Sequence, residues 1–272
     1  MRPPLRRAGA SRRAAMEAAA IPTWSGPRTV AENAESLRFL QAPGHLPRGR
    51  RVYAIGDIHG HPDKLRRLHA AIAADLAARP TPFATLVHLG DYIDQGPDSA
   101  GTVSLLASGP TIPGVRVVNL LGDHERMLVD ALNGDKAAAT DWLWAGGRET
   151  LPSWGLDPDL PREEWEAALP AAHVAFLRGL VLSHREGDYV FVHAGIRPGV
   201  ALDDQSTDDL VTMRQPFLWS EDDFGFVVVH GHSSLPSVAI GKNRIALDTG
   251  AGLGAKLTCA VLQDDVIGLI SV

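Results

Sequence analysis

The stretch RVYAIGDIHG, residues 51–60, sets the pattern on which the fold is built. Its first half, Arg51–Ile55, predicts a short buried strand because apolar residues dominate it. Its second half places Asp57 and His59 directly after that strand, between glycines that let the backbone turn sharply and approach a ligand closely. A strand that runs into an acid and a histidine is typical of a site at the edge of a sheet.

The same unit of strand, polar loop and helix recurs twice more along the chain. Apolar residues spaced for one helical face, such as Leu65, Leu68 and Ile72, predict a helix, whereas short β-rich runs predict strands. The predicted strands are Arg51–Ile55, Ala84–Leu89, Val115–Asn119, Tyr189–Val192, Val227–His230, Ile245–Asp248, Leu257–Leu262 and Val266–Ile270, and the predicted helices are residues 61–78, 98–106 and 125–132. Early βα units followed by a run of strands predict two packed sheets flanked by helices.

Each of five predicted strands ends in a short loop that carries Asp or His. These loops are GDIHG at 56–60, GDYIDQG at 90–96, GDHE at 122–125, HAG at 193–195 and HGH at 230–232. In α/β sheets, ligands bind beyond the carboxyl ends of the strands. Carboxylates mixed with imidazoles suit divalent Mn, Fe or Zn. Asp57 and His59 would point the same way on an extended backbone, so that one metal ion could take both.

A segment of different character, about residues 133–184, interrupts this pattern. Four tryptophans lie in it among alanines, glutamates, prolines and the pair Gly146-Gly147, namely Trp142, Trp144, Trp154 and Trp165. We expect short helices, inserted as a cap over one end of the sheet. The tryptophans either pack this cap or line a binding cleft, and packing is the more common role for such residues.

The composition is that of an ordinary globular protein. The 272 residues suit one large domain, and hydrophobic residues make up 45% of them. A net charge of −6 argues against a nucleic-acid-binding surface, and no apolar run approaches the length of a membrane span. Residues 1–50 are predicted to be a basic, partly disordered extension, because the N-terminus holds five arginines and no acid. Residues 51–272 are predicted to form the folded domain.

Cys259 is the single cysteine of the sequence, which excludes an internal disulfide. It lies in the apolar run Leu257–Leu262 and is expected to be a buried structural thiol. A chain with no disulfide and no recognisable secretory signal is predicted to be cytoplasmic.

The order GDIHG, GDYIDQGPDS, GDHE, HAG, HGHS resembles the PPP family of metallophosphoesterases, from about Val52 to Leu262. That family includes serine/threonine phosphoprotein phosphatases, bacterial tyrosine-active relatives and diadenosine tetraphosphate hydrolases. Glu125 and the stretch RIALDTG, residues 244–250, are more similar to the bacterial phosphoprotein phosphatases, since the dinucleotide hydrolases usually carry Asp at the position of Glu125. The resemblance implies an α/β fold, a sandwich of two mixed β-sheets flanked by helices (αββα), with a small helical cap insertion.

The resemblance also implies a role for each residue of the site. Two divalent metal ions are expected, manganese first, with iron or zinc as alternatives. In this sequence Asp57 and His59 would bind one metal, Asp91 would bridge both metals, and Asp123, His193 and His232 would bind the other. His124 would be the general acid, held by Asp94. Arg214 and Gln95 would occupy the phosphate-binding positions. Two such metals clamp a phosphoryl group and acidify a water molecule, while a histidine protonates the leaving oxygen.

Two positions depart from the family pattern. Asp123 stands where the family has Asn, and Gln95 stands where it has a phosphate-binding Arg. Carboxylate is a good hard ligand, so metal binding is expected to survive the first change. Together the two changes make the site about two charge units less positive than the pattern implies. We therefore expect a slow phosphomonoesterase, or one that prefers substrates with less charge at the reacting phosphorus.

The predicted function is a metal-dependent phosphatase that acts on phosphoprotein (Ser/Thr or Tyr) or on small phosphomonoesters. The first alternative is a dinucleoside polyphosphate hydrolase of the diadenosine tetraphosphate type. The second alternative is a catalytically weak module that binds metal and phosphate and has a regulatory role. The pair His124–Asp94 argues against this last reading, because a pure binding module has no use for a general acid.

Overall fold

Two mixed β-sheets form the centre of the protein. The computed structural model describes residues 37–109 and 112–272, so the arginine-rich part of the predicted extension, residues 1–36, lies outside the described residues. The strands are β1 (Leu40–Gln41), β2 (Arg50–Ile55), β3 (Phe83–His88), β4 (Val115–Asn119), β5 (Ser183–Glu186), β6 (Tyr189–Val192), β7 (Val227–His230), β8 (Ala239–Ile240), β9 (Arg244–Ala246), β10 (Thr258–Gln263) and β11 (Val266–Ser271).

Three parallel strands lie side by side in each sheet. Within the described ranges, the first sheet has the order β1-β11-β10-β2-β3-β4, with β2, β3 and β4 parallel. The second sheet has the order β5-β6-β7-β9-β8, with β6, β7 and β9 parallel. Parallel neighbours run in the same direction, so their carboxyl ends meet at one edge of the sheet. The two mixed sheets confirm the predicted fold class.

The alternation of side chains along the strands divides the core into layers. In β2, Val52 and Ala54 belong to the core between the sheets, whereas Tyr53 and Ile55 pack on the helices of the outer face. The helices are α1 (Pro62–Ala78), α2 (Ser99–Ala107), α3 (Asp123–Leu132), α4 (Lys136–Trp142), α5 (Arg148–Thr150), α6 (Arg162–Ala168), α7 (Ala171–Arg178) and α8 (Thr207–Thr212). In the described part of the chain, no helix combines the length and apolar character needed to cross a bilayer.

The short helices α4 to α7 lie between α3 and β5, in the segment for which the sequence predicts a cap. The folded domain begins earlier than the predicted boundary at residue 51. Strand β1 pairs with β11 at the edge of the first sheet, and Leu46 is completely buried between the sheets. A strand of only two residues is too short to show the alternation of apolar and polar side chains. These residues were therefore predicted to belong to the extension.

Candidate active site

The loops that follow the central strands of both sheets meet at one place. The first sheet supplies Asp57 and His59 after β2, Asp91, Asp94 and Gln95 after β3, and Asp123 and His124 after β4, and the second sheet supplies His193 after β6 and His232 after β7. The five loops predicted from the sequence are thus brought together by the parallel pairing within each sheet and by the packing of one sheet on the other.

One group of ligand atoms spans the two sheets. Atoms of Asp91, Asp123, His193 and His232 lie within 4.8 Å of one another. Asp123 Oδ1 is 3.0 Å from His193 Nε2 and 3.1 Å from His232 Nδ1. Burial alone would raise the pKa of Asp123, but the hydrogen bonds to these two histidines hold it well below its usual range. The group therefore has the donor set of a site for a divalent metal ion.

A second group lies mainly on loops of the first sheet. Atoms of His59, Asp91 and His124 lie within 4.8 Å of one another. Asp91 belongs to both groups, and its two carboxylate oxygens face different histidines. Oδ1 lies 3.4 Å from His193 Nε2, and Oδ2 lies 3.5 Å from His59 Nε2. One carboxylate therefore faces both places where an ion would bind, as a bridging ligand must.

The ring orientations of two histidines are fixed by backbone carbonyls. The Nδ1 of His59 lies 2.9 Å from the carbonyl oxygen of Ile93, and the Nδ1 of His193 lies 2.8 Å from that of Leu89. A carbonyl only accepts, so each Nδ1 carries the proton and each Nε2 faces the carboxylates. This arrangement, in which an outer partner sets the tautomer, is common among metal-binding histidines.

Asp57 belongs to neither of these two groups of ligand atoms. Its spacing from His59 had suggested that both side chains could bind the same metal ion. Its Oδ2 accepts the backbone N–H of His232 at 2.8 Å, and its buried Oδ1 has no hydrogen-bond partner within the described residues. Burial and the nearby charge of Asp248 raise the pKa of Asp57. A buried carboxylate oxygen without a partner is unfavourable, and a bound cation would remove that penalty. The residues present therefore fit divalent metal ions.

Five site residues have left-handed backbone conformations, which non-glycine residues rarely adopt. The φ angles are 43° for His59, 51° for Asp91, 68° for Asp94, 59° for Gln95 and 61° for His232. The expectation that Asp57 and His59 point the same way assumed an extended backbone, and the conformation of His59 rules that out. Such strain is costly, at roughly 1–3 kcal/mol per residue, and it clusters at functional sites.

His124 and Asp94 form a hydrogen-bonded pair beside the second group. His124 Nδ1 lies 2.6 Å from Asp94 Oδ2, and the two rings of His59 and His124 meet edge to face with centroids 5.0 Å apart. Burial would lower the pKa of His124, but the charge of Asp91 and the hydrogen bond to Asp94 raise it to about 10. Both carboxylates thus favour the protonated form of the imidazole.

The two residues at the predicted phosphate-binding positions are exposed at the rim of the site. A guanidinium N–H of Arg214 donates to the carbonyl of His232 at 3.5 Å. A Cβ built on Gly252 would lie 2.5 Å from Gln95 Oε1 and 2.8 Å from a ring carbon of His59, so Gln95 packs on that loop. Lys64 is already engaged, since its ammonium donates to the carbonyls of Ala251 and Ala255.

Glu125 contributes to the site in a way that the sequence analysis missed. Its completely buried carboxylate accepts the backbone N–H groups of Asp91 at 2.9 Å, Tyr92 at 2.7 Å, Ile93 at 3.1 Å and Gly122 at 3.2 Å. Burial and Asp91 raise the pKa of Glu125 to about 8, while the N–H donors favour its charged form. It holds the loop that presents Asp91. Its place in the first turn of a helix, where it also caps that helix, was the only signal.

The cap tryptophans divide into packing residues and exposed residues. Trp142 and Trp165 are buried and meet with ring centroids 5.2 Å apart, whereas Trp144 is 87% exposed. Packing therefore accounts for the first two, as expected from the sequence. The indole N–H of Trp142 has a partner that the sequence analysis did not foresee, because it donates to Asp94 Oδ2 at 3.0 Å.

Comparison with known proteins gives relatives of two kinds. Serine/threonine-protein phosphatase 1 of Salmonella typhimurium is 29% identical over 242 residues, which cover 79% of this chain and 93% of that protein. The symmetrical bis(5'-nucleosyl)-tetraphosphatase of Dechloromonas aromatica is 32% identical over 148 residues, 54% of this chain. The match spans only 44% of the length of that tetraphosphatase.

Solved structures and a family comparison agree on the fold. A crystal structure described as a diadenosine tetraphosphatase has a TM-score of 0.60 at 24% identity and covers 82% of this chain and 92% of its own. A cold-active protein-tyrosine phosphatase of a psychrophilic Shewanella has a TM-score of 0.51 at 17% identity, covering 81% and 79% of the two chains. Residues 50–267 match the family described as calcineurin-like phosphoesterase. This chain therefore belongs to the calcineurin-like phosphoesterases, a family of phosphoester hydrolases.

Proposed function

We propose that this protein is a metal-dependent phosphatase that hydrolyses phosphomonoesters, either of phosphorylated Ser, Thr or Tyr in proteins or of small molecules. The observation that carries the proposal is the arrangement around Asp91. One of its oxygens faces His193 and the other faces His59, and the hydrogen-bonded pair His124–Asp94 lies beside them. A proton donor next to a two-ion donor set suits the hydrolysis of a phosphoester better than binding alone.

The proposed metal ligands follow from the two groups of side chains. Asp91, Asp123, His193 and His232 would hold one ion, and His59, Asp57 and Asp91 would hold the other, with manganese the first candidate and iron or zinc as alternatives. When bound, two such ions would supply Lewis-acid stabilisation of the phosphoryl oxygens and would lower the pKa of an attacking water molecule. Asp57 would need to turn its unpartnered Oδ1 toward that second ion.

The remaining side chains would bind the phosphate and move a proton. Asp94 accepts from His124 Nδ1, so the Nε2 of His124 is left to donate a proton to the leaving oxygen of the substrate. Arg214 is held at the rim by the carbonyl of His232 and would contact a phosphate oxygen. Gln95 offers an uncharged amide where the family pattern has a cation, so it would bind phosphate more weakly.

The second candidate is hydrolysis of a dinucleoside polyphosphate. It is supported by relatives named symmetrical bis(5'-nucleosyl)-tetraphosphatase, which match about half of this chain. The phosphomonoesterase proposal has the broader support, because the similarity to the Salmonella phosphatase covers nearly all of that protein. A weak regulatory module is the least favoured alternative, since the His124–Asp94 pair has no role in it.

A panel of three substrates tests these proposals. We expect the purified protein with Mn²⁺ to hydrolyse p-nitrophenyl phosphate and phosphopeptides faster than diadenosine tetraphosphate. A preference for diadenosine tetraphosphate would overturn the first proposal in favour of the second. Hydrolysis of none of the three, in a protein that binds Mn²⁺, would leave the regulatory module as the better description.

We also propose a cytoplasmic location for this enzyme. The support is the single cysteine, Cys259, which is completely buried in β10 and is too isolated to form an internal disulfide. Fractionation of cells that express the protein from its own gene tests this, and recovery of most of it outside the cytoplasm would contradict the proposal.

A further inference from the structure

The indole of Trp142 reaches from the cap to the proton-donating pair. Trp142 is the last residue of α4 and is completely buried. Its Nε1–H donates at 3.0 Å to Asp94 Oδ2, the same oxygen that lies 2.6 Å from His124 Nδ1. The other oxygen, Asp94 Oδ1, has no hydrogen-bond partner among the described residues. A single carboxylate oxygen therefore receives both donors.

This double contact favours one position for the proton of the pair. An indole N–H can only donate, so its hydrogen bond to Asp94 Oδ2 stabilises the ionised carboxylate. The proton shared with His124 is therefore favoured on Nδ1. The Nε2 of His124 then remains the nitrogen from which a proton can pass to a substrate. Trp142 thus supports the orientation of His124 through Asp94, without touching His124 itself.

The indole is held tightly on both sides. A Cβ built on Gly147 would lie 2.4 Å from a ring carbon of Trp142, and one built on Gly146 would lie 2.9 Å from the Cβ of Asp94. The pair of glycines therefore lets the cap backbone approach the ring and the carboxylate more closely than any other residue would permit. Trp165 packs against the indole at 5.2 Å between ring centroids. The position of the donor is thus fixed by packing.

A second contact holds the same acid from α2, through a serine that in turn touches the cap. The backbone N–H of Asp94 donates to Ser99 Oγ at 2.9 Å, and that hydroxyl lies 3.3 Å from Thr150 Oγ1. Asp94 has a left-handed backbone, so its side chain keeps its direction only if its neighbours enforce it. The indole of Trp142 and the hydroxyl of Ser99 both serve that purpose.

We propose that Trp142 is a positioning residue for the general acid, which makes the cap part of the catalytic apparatus; this inference rests on the proposed phosphatase function. The cap supplies the second donor to Asp94, and Asp94 in turn orients His124. The inference predicts a selective defect. Loss of the indole N–H should slow substrates whose leaving group needs a proton, and it should leave substrates with activated leaving groups nearly unaffected.

The test compares Trp142→Phe with the matched control Trp154→Phe. Both remove an indole from the same cap, but the Nε1–H of Trp154 donates at 2.8 Å to His173 Nδ1 and does not contact the acid. We expect Trp142→Phe to lower kcat on phenyl phosphate by roughly 10-fold, part of the roughly 10²–10⁴-fold that a general acid contributes. On p-nitrophenyl phosphate the change should be much smaller, and KM and bound Mn²⁺ should stay unchanged.

The outcomes separate a positioning role from a merely structural one. Equal losses on both substrates, the same pattern in Trp154→Phe, or no loss at all would overturn the inference. In a protein that already carries His124→Asn, Trp142→Phe should have little further effect on phenyl phosphate, because the two residues act as one unit. If wild-type protein hydrolyses no phosphoester, the proposed function itself fails, which is a different result from normal turnover in Trp142→Phe.

A second variant covers the case in which Trp142→Phe does not fold. Replacement of Trp142 by benzothienylalanine keeps the size and shape of the indole and exchanges only the N–H for sulfur. We expect this variant to show the same selective loss on phenyl phosphate with unchanged thermal unfolding. Wild-type kinetics on both substrates would show that the N–H has no part in positioning His124.

Discussion

Two sets of buried histidines each include a residue at the carboxyl end of a strand, and they differ in what surrounds them. His193 follows β6 and His88 ends β3, and both are essentially inaccessible to solvent. Burial lowers the pKa of His88 to about 3 and that of its neighbour His69 to about 4. Burial would also lower the pKa of His193, but Asp91 and the hydrogen-bonded Asp123 raise it well above its usual range.

The difference shows that the groups around a buried imidazole, and not its burial alone, determine in which direction its pKa shifts. His69 Nε2 lies 3.0 Å from His88 Nε2, and His88 Nδ1 lies 2.7 Å from Asn119 Oδ1. His88 has an amide partner where the histidines of the active site have carboxylates, and burial favours the neutral form of both His88 and His69. The histidines of the active site face acids that can share a cation with them. Each prediction below alters one side of this contrast.

Removal of the shared carboxylate should have the largest effect. Asp91→Asn leaves one acceptor oxygen where His193 and His59 each face one now, so we expect at most one ion to stay bound. Metal affinity should fall by more than the roughly 10–100-fold that loss of an outer partner of a ligand costs. Activity should fall below that of any other variant described here. Mass spectrometry of bound manganese and turnover of p-nitrophenyl phosphate measure both effects.

The matched control for Asp91 is Asp135→Asn. Asp135 caps α4 by accepting the backbone N–H of Ala137 at 2.8 Å, away from the site, and its loss should leave two ions bound. Two ions in Asp91→Asn would show that this carboxylate does not bridge them.

The next largest effect is expected for the imidazole that the acids keep protonated. His124→Asn should lower turnover of phenyl phosphate by roughly 10²–10⁴-fold, because the leaving oxygen then departs without a proton. The loss should shrink for p-nitrophenyl phosphate, whose leaving group needs less protonation. Bound manganese should remain nearly unchanged, since His124 is proposed as a proton donor. Equal losses on the two substrates, measured by steady-state kinetics, would count against that role.

A smaller change, this time a gain of activity, is expected when one carboxylate of the site is replaced by an amide and a cation is added. Asp123→Asn combined with Gln95→Arg makes the site about two charge units more positive. A unit charge at ~4 Å is worth up to ~4 kcal/mol at an effective dielectric of ~20, before relaxation and screening reduce it. We expect kcat/KM on p-nitrophenyl phosphate to rise about 10-fold, which corresponds to ~1.4 kcal/mol. Inhibition by inorganic phosphate should also become tighter.

Two cations of the cap are already paired with acids. Arg148 pairs with Asp159 at 2.6 Å, and Arg162 pairs with Glu163 at 2.7 Å. If the double variant gained neither activity nor phosphate affinity, the charge argument would be wrong, and another cation would have to supply what Gln95 lacks.

The pair His69–His88 should affect only the stability of the fold, and only at acidic pH. Both histidines have folded-state pKa values below the ordinary ~6.5, so the unfolded chain takes up protons first as the pH falls. Stability is therefore complete above about pH 6.5 and declines below it. His69→Gln keeps a donor to His88 but does not titrate, so it should reduce that decline by up to ~1.4 kcal/mol per pH unit.

Urea unfolding of metal-free protein from pH 7 to pH 5 measures this difference. An unchanged slope in His69→Gln would mean that His69 is protonated in the folded state. Turnover at pH 7 should be the same in the variant and the wild type, which separates this pair from the histidines of the site.

Much of the fold was readable from the sequence because strands and helices have different periods. The strands Val115–Asn119, Tyr189–Val192 and Val227–His230 were predicted to the residue. The short strands β1 and β8 were missed, because two residues cannot show a period. Strand β5 was missed because it lies at the end of the predicted cap and its residues, SHRE, are polar.

The loops of the site could be predicted, but their geometry could not. Glycines and acids after strands point to a ligand, yet nothing in GDIHG tells that His59 is left-handed or that Asp57 turns toward the backbone of His232. The hydrogen bond of Trp142 was equally hidden, because it depends on how the cap docks on Asp94. Motifs specify which residues gather, whereas tertiary packing determines which atoms meet.

The wide sequence separation of these contacts has a consequence for the order of folding. Residues 57 and 232 are 175 positions apart, 123 and 232 are 109 apart, and 123 and 193 are 70 apart. Closing such long loops is slow, and neither sheet alone contains all the residues of the site. During synthesis the amino-terminal loops therefore emerge long before their partners exist, and the site is complete only when the last third of the chain has docked.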